Sequence, residues 1–450
     1  MNTPIADFLR EYAASGMSRM HMPGHKGRQI LGCEPLDITE VAGADALYEA
    51  EGIIARSEAN ATKLFGSGRT VYSTEGSSQC IRAMLYLALN HRQPGASRTV
   101  VAARNVHKAF VYAAALLDFE IVWLWPEEQT SLCACPVTAA GLEQTLNALP
   151  ELPAAVYLTS PDYLGNVLDI AALAQVCRRF GVLLLVDSAH GAYLKFLPES
   201  RHPMDLGADL CCASAHKTLP GLTGSAFLHL SDNAPALFWD QARNALALFG
   251  STSPSYLILQ SLDQVNRRLA DGYADRLAAF LPLAAACKSR LAGHGYQILD
   301  DEPLKLTLQT RSYGYSGMEF AEALRQRGIE CEFADPDFVV LMLTPELDAA
   351  GLQQAELALL DIPRKPSLPD SPPRFTLPER VYSIREAVLS PCETIPASQS
   401  LGRVLAAATV GCPPAVPIVV SGERIDEAAL RCFAYYGIEA CTVVSAQTAL

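Results

Sequence analysis

Basic residues are scarce in this chain: of 450 residues, 35 are Lys or Arg against 48 Asp or Glu, a formal net charge of −13. That balance leaves no electrostatic footprint for nucleic acid or for an anionic membrane surface. Long apolar runs are missing too, and none approaches the roughly 18 residues of a membrane span. The opening "MNTPIADFLREYAASGMSRM" lacks the basic-then-apolar order of a secretory leader. A cytoplasmic protein is expected. Metal knuckles are also absent. Among thirteen cysteines, "CAC" at 133–135 and "CC" at 211–212 are not CxxC pairs, and no second half follows at zinc spacing. They read as small buried apolar side chains of a reducing compartment. His21 and His25 in "HMPGH" are four apart, but Pro23-Gly24 between them prevents the helix that would aim both at one metal. There is no internal repeat and no low-complexity tract.

What is abundant is apolar: 50% of residues, with only 18% charged. That is a core-rich chain long enough for two or three domains. From about 70 to 230, candidate strands "TVYST" (70–74), "RTVVAA" (98–103), "EIVWLW" (120–125), "AAVYLT" (154–159), "VLLLV" (182–186), "DLCCAS" (209–214) and "SAFLHL" (225–230) alternate with helix-period segments at 78–90, 107–118, 142–149 and 170–181. Continuous apolar strands alternating with helices imply an α/β fold, its mostly parallel seven-stranded sheet covered on both faces. The last two strands are only about ten residues apart, too close for a crossover helix, so one of them is antiparallel. A long helical stretch at 255–293 then leads to strand-like and helical segments of a smaller α+β domain. The expected organisation is an N-terminal segment (1–45), a ligand-binding large domain (46–254), and a linker helix with a small domain (255–450). The proline-rich "DIPRKPSLPDSPPRFTLP" (361–378) is read as an extended surface connector.

In open parallel sheets, ligands sit at the C-terminal ends of strands. After the first strand, Gly76, Ser77 and Ser78 open a helix, where free N–H groups and hydroxyls make a phosphate cradle. Ser is also a common helix cap, so this motif alone does not decide. After the second strand, His107 stands at a strand-to-helix junction, as a cap, a surface residue or a ring laid on a planar ligand. The fifth strand ends in Asp187, where an unpaired carboxylate would be desolvated at a cost of several kcal/mol; His190 stands three residues on. The sixth delivers Ser214, His216 and Lys217 on the turn between two apolar strands. A phosphate cradle, a ring to stack, a buried carboxylate and a lysine together fit pyridoxal 5'-phosphate. Lys217 would condense with its aldehyde as a Schiff base, and Asp187 would keep the pyridine nitrogen protonated.

The motifs "HMPGHKG", "DITEVAGADALYEAEGII", "STEGSSQ", "RNVHKA", "SPDYLGNVLDI", "VDSAHGAY", "SAHKTLPGLTGSAFLH" and "STSPSY" resemble those of the Orn/Lys/Arg decarboxylases of pyridoxal-phosphate fold type I. The likeness is to the short bacterial members without an N-terminal wing. It runs from about residue 18 to the end, where "GRVLAAATVGCPPAVPIVVSGERI" is similar to the family's closing motif. The resemblance implies that Ser77 and Ser78 hold the phosphate and that His107 stacks on the ring. Asp187 pairs with the ring nitrogen, His190 lies near the ring oxygen, Ser214 and His216 near the phosphate, and Lys217 carries the cofactor. It implies a homodimer or higher oligomer in which Ser251 or Thr252 enters the partner's site. The implied activity is decarboxylation of lysine, arginine or ornithine to the amine, a step of polyamine metabolism.

One departure stands out. Where the family reads glutamate after Gly-Arg-x-x-Ala, this chain has Ala407, and Gly-Cys precedes Pro413-Pro414 where Pro-Tyr is common. A distal substrate cation would then need another partner, for which Asp45, Glu49 and Glu51 are the candidates. The rival readings are an aminotransferase or aldol-type lyase of the same fold, with Arg403 or Arg424 clamping the α-carboxylate, and a non-catalytic binding protein.

Overall fold

The computed structural model describes residues 1–90, 97–126, 131–369, 372–407 and 416–446. In chain order come α1 (Pro4–Ala14), α2 (Ile53–Phe65), β1 (Arg69–Ser73), α3 (Gly76–Asn90), β2 (Thr99–Ala103), α4 (Lys108–Leu117) and β3 (Glu120–Leu124). Next are α5 (Ala139–Ala148), β4 (Ala155–Thr159), α6 (Ile170–Phe180), β5 (Leu183–Asp187), α7 (Pro203–Leu206), β6 (Leu210–Ser214), α8 (Ala215–Thr218) and β7 (Ala226–Leu230). All seven expected strands form, in one sheet of order β1-β7-β6-β5-β4-β2-β3. β2 pairs parallel with β3, β4 with β5 and β5 with β6, whereas β7 runs antiparallel to β6 and to β1. The short link before β7 has the geometric consequence expected of it.

The reasons are local. β4, β6 and β7 are buried over nearly their whole length, as continuous apolar runs require. Asp169 caps α6 by accepting from the Ala172 N–H at 3.0 Å, an interaction of about 1 kcal/mol. Gly181, at φ +67°, ends that helix in the left-handed region. The face between them buries Ile170, Leu173, Ala174, Val176 and Cys177.

The remaining elements are α9 (Ala236–Ala247), α10 (Tyr256–Ala270), α11 (Tyr273–His294), β8 (Gln297–Leu299), β9 (Lys305–Gln309), α12 (Gly317–Arg325), β10 (Phe333–Ala334), β11 (Phe338–Met342) and α13 (Ala349–Leu360). Then follow α14 (Ile384–Leu389), β12 (Cys392–Pro396), α15 (Glu427–Tyr435) and β13 (Ala440–Val444). β8–β11 make an antiparallel sheet of order β10-β11-β9-β8, and β12 pairs with β13. The long helical stretch expected over 255–293 is two helices, broken where Gly272 takes φ +78°. The strand-like stretch "IECEFAD" (329–335) forms a strand only over Phe333–Ala334, because the Asp335 carboxylate accepts the Asp337 and Phe338 N–H groups and turns the chain. The described residues of 363–378 hold no helix or strand and are mostly exposed. Beyond them a core gathers on Leu405, Val419, Ile425, Phe433 and Val443.

The chain separates into two compact units: Met1–Ser97, Leu149–Ser160 and Asp169–Ala278 in the first, and Arg98–Ala148, Pro161–Leu168 and Ala279–Leu450 in the second. Among the described residues, no helix is long and apolar enough to cross a membrane.

Candidate active site

The first unit assembles most of the chemistry. Asp187 closes β5 and is 3% exposed. Its Oδ2 accepts the Tyr157 hydroxyl at 3.2 Å. Its Oδ1 accepts the Ala189 N–H at 3.1 Å and the Cys212 thiol at 3.4 Å. All three donors are neutral. Burial, then the Asp187 charge, holds the Tyr157 phenol far above its ordinary range, and the Cys212 thiol likewise, so both remain protonated donors. A buried carboxylate with only neutral donors retains much of its desolvation cost, several kcal/mol. The position is suited to a cationic N–H. Sequence reasoning did not find Tyr157 or Cys212; the signal was the parallel register, in which Cys212 stands opposite Asp187 and Asp187 opposite Thr159.

β6 delivers Ser214, whose Oγ is buried without a hydrogen-bond partner. The expected turn after it contains the single-turn helix α8, which carries His216 and Lys217. The Lys217 Nζ lies 3.0 Å from Nε2 of the buried His190. His216 Nδ1 is 3.0 Å from the Ser225 carbonyl, and the Ser225 hydroxyl is again buried and unpartnered. A Cβ at Gly221 would come within 2.5 Å of the Ser225 Oγ and 3.2 Å of the Ala215 Cβ, so a larger residue in this tight return would displace the Ser225 hydroxyl.

The β1–α3 loop docks on the β6–β7 loop through the Gly76 N–H, which donates to the Gly224 carbonyl at 2.7 Å. Gly76 takes φ +71°, the left-handed turn that opens α3 with Ser77 and Ser78 in its first turn. The first-turn N–H groups of a 15-residue helix and two half-buried hydroxyls thus stand beside the loop bearing Lys217. Ser251 and Thr252 are exposed, and the Ser251 N–H donates to the Glu75 carboxylate of the same β1–α3 loop.

His107 belongs to the second unit. It is the N-cap of α4, with Nδ1 accepting the Ala109 N–H at 3.2 Å, which leaves the proton on Nε2. Three residues earlier, the buried Arg104 donates to the Pro417 and Ile418 carbonyls and to Glu423 Oε2 at 3.0 Å. Neither expected carboxylate clamp is free: Arg403 donates to Glu393 and the Val444 carbonyl, Arg424 to Glu379 and the Gly402 carbonyl. Asp45 is also committed, its carboxylate accepting the Glu51, Gly52 and Ile54 N–H groups ahead of and into α2, while Glu49 and Glu51 are exposed. Ala407 is half-buried with its N–H 3.4 Å from the Thr442 carbonyl. The Gly-Cys-Pro-Pro departure after it lies outside the described residues. His21 and His25 sit in a non-helical loop against Tyr12 and Asp37. Among the described residues, no group of three or more His, Cys, Asp or Glu could hold a metal ion.

Residues 3–292 match the family described as Orn/Lys/Arg decarboxylase, major domain. An arginine decarboxylase of Bacillus subtilis (strain 168) is 29% identical over 94% of this chain and 91% of its own. An arginine decarboxylase of Halalkalibacterium halodurans is 27% identical over 95% of this chain and 92% of its own. The constitutive lysine decarboxylase of E. coli shares the fold with a TM-score of 0.78 at 18% identity, covering 99% of this chain and 82% of that one. Together with the match over well more than half of its length, this shows that the chain belongs to the Orn/Lys/Arg decarboxylase family.

Proposed function

We propose that the protein is a pyridoxal-phosphate-dependent decarboxylase of a basic amino acid, lysine, arginine or ornithine, releasing carbon dioxide and the amine. The observation that carries the reading is Asp187, a buried carboxylate held by three neutral donors and, among the described residues, in no salt bridge. The residues fit the cofactor: two buried hydroxyls without partners, Ser214 and Ser225, flank the lysine loop, and a helix start with Ser77 and Ser78 adjoins it. When bound, pyridoxal phosphate supplies the sink for the electron pair that decarboxylation leaves behind. Asp187 Oδ2 would hold the proton on the ring nitrogen. Ser77, Ser78, Ser214 and His216 would hold the phosphate, and His107 would offer its ring as a flat partner. Lys217 Nζ would be the amine that holds the cofactor and makes way for the substrate amine. Nε2 of His190, 3.0 Å away, can take or return the proton that this exchange moves. The engaged guanidiniums of Arg403 and Arg424 speak against an aminotransferase-type clamp.

The proposal includes a homodimer in which the exposed hydroxyls of Ser251 and Thr252 complete the partner's site. Arginine is the first substrate to test, since the Bacillus and Halalkalibacterium relatives are named for it. The test is incubation of purified protein with each of the three amino acids, reading carbon dioxide and the matching amine. One pair of products formed in equal amounts is expected; none from any of the three overturns the proposal.

A further inference from the structure

The second unit contains a cavity of about 820 Å³ between α12, the β10 edge and the end of α15. None of Lys217, Asp187, His190 or His107 lines it. Among the described residues its wall carries Glu322, Glu330, Glu332 and Asp335 against a single cation, Arg325. Arg325 is already committed to Glu322 at 2.5 Å and to Glu330 at 3.1 Å. Among the described residues that leaves Glu332 and Asp335 without a salt bridge. Glu332 is exposed and accepts the Tyr163 hydroxyl. Asp335 is 6% exposed; its Oδ1 accepts the Asp337 and Phe338 N–H groups, while its Oδ2 has no hydrogen-bond partner. The Tyr436 hydroxyl, also of this wall, is buried, and the Leu132 backbone N–H that approaches it lies outside hydrogen-bond geometry.

An unpartnered buried carboxylate oxygen and an unpartnered hydroxyl in one wall are unfinished hydrogen bonding, which folded proteins rarely leave without a ligand or ordered water. A divalent metal needs several ligands converging on one centre, and among the described residues no group of three or more His, Cys, Asp or Glu does so. A primary ammonium needs about three acceptors on one centre and tolerates an apolar stem. Phe333, Ile418 and Ile438 provide an apolar wall for such a stem.

We propose that this cavity binds a primary alkylammonium compound, its head on Asp335 and Tyr436 and its carbon chain along Phe333, Ile418 and Ile438. A second ammonium at the far end of a diamine would reach Glu332. The site stands on this geometry alone and does not depend on the reaction proposed above. Burial raises the Asp335 carboxyl to about 7, with the Asp337 carboxylate adding to the effect. The Tyr435 and Tyr436 phenols and the Cys133 thiol also face this pair, and Arg311 lies 3.7 Å from Asp337. A bound cation favours the ionised Asp335, so binding releases a proton and weakens below neutral pH.

The test is isothermal titration of the full-length protein with butylamine and with 1,4-diaminobutane. It uses the wild type and the variants Lys217→Ala, Asp335→Asn and Tyr436→Phe. The expected result is one site per chain, tighter for the diamine and tighter at pH 8 than at pH 6. It should survive Lys217→Ala, weaken at least tenfold in Asp335→Asn and weaken severalfold in Tyr436→Phe. Survival in Lys217→Ala separates this site from the proposed catalytic one, whatever becomes of the decarboxylation assay. No binding of either amine by the wild type overturns the proposal, as does binding that Asp335→Asn and Tyr436→Phe leave unchanged. Asn keeps the acceptor for the two N–H groups, so the turn should form; should that variant not fold, Tyr436→Phe decides.

Discussion

Replacing Asp187 by asparagine should separate stability from activity. Among the described residues the carboxylate, 3% exposed, accepts from the Tyr157 hydroxyl, the Ala189 N–H and the Cys212 thiol. Asparagine keeps an acceptor for the Ala189 N–H and the thiol, and the Tyr157 hydroxyl can turn to accept from the new amide. The variant removes a buried charge while leaving at least two of three contacts satisfied. The apo variant should therefore be as stable as the wild type, or more stable by about 1–3 kcal/mol. In a chain of this size that is a rise of a few degrees at most in Tm. With cofactor the sign reverses. A charge-assisted bond to the ring nitrogen, worth about 1.5–3 kcal/mol, is lost, weakening cofactor binding roughly tenfold to a hundredfold. Turnover should fall by several orders of magnitude, since the electron sink depends on a protonated ring. The assays are denaturant unfolding of both apo proteins, cofactor titration by fluorescence, and carbon dioxide release. An apo variant several kcal/mol less stable would mean that the carboxylate is a structural cap, and near-wild-type turnover would refute the assigned role outright.

Tyr157→Phe removes one donor from Asp187 and leaves the ring packing intact; the variant should fold and bind cofactor, with kcat lowered severalfold to tenfold and an altered pH profile, and an unchanged profile would speak against its orienting Asp187. Mixing Lys217→Ala chains with chains carrying Ser251→Ala and Thr252→Ala should regenerate part of the activity in mixed dimers, while no recovery despite proven exchange would exclude a shared site. Burial keeps His229 well below its ordinary range, next to His202, which is pushed down to about 3. Below pH 6.5 the unfolded chain then binds protons that the folded one does not, so these residues contribute stability above pH 6.5 that is lost as pH falls. His229→Phe, in a pocket already holding Phe65 and Phe227, should reduce the slope of stability with pH by about 1.4 kcal/mol per unit between pH 5 and 6. An unchanged slope in denaturant titrations would mean that His229 charges freely in the native state.

The strands were legible because burial on both faces writes a continuous apolar run, and β4, β6 and β7 carry almost nothing else. Asp187 and Lys217 were legible for the opposite reason. A charge at the end of such a run is expensive, and so conspicuous against its neighbours. The four-residue helix α8 left no trace, since one turn is too short for a helical period, and the break at Gly272 was hidden inside two amphipathic segments that shared one period. His107 had three readings in the sequence, and its capping bond to the Ala109 N–H fixes which nitrogen carries the proton without excluding a second use of the ring face.

Partnership across the fold is what the chain order concealed. Tyr157 and Cys212 meet Asp187 from thirty and twenty-five residues away, through a register that only the assembled sheet defines. Asp45 looked like a spare carboxylate for a substrate cation, because nothing in "GADALYEAEG" shows that its oxygens are consumed by the Gly52 and Ile54 N–H groups. Asp335 is the converse case. Its sequence setting, "ADPDF", reads as a turn, and half of its carboxylate does serve the turn; the other oxygen remains in a cavity wall with a tyrosine a hundred residues further along. A sequence reveals which groups are costly to bury, but whether a partner arrives is decided by residues distant along the chain. That is why the charged end of β5 pointed to chemistry at once, whereas the carboxylate of Asp335 acquires a ligand-binding reading only when its hydrogen bonds are counted.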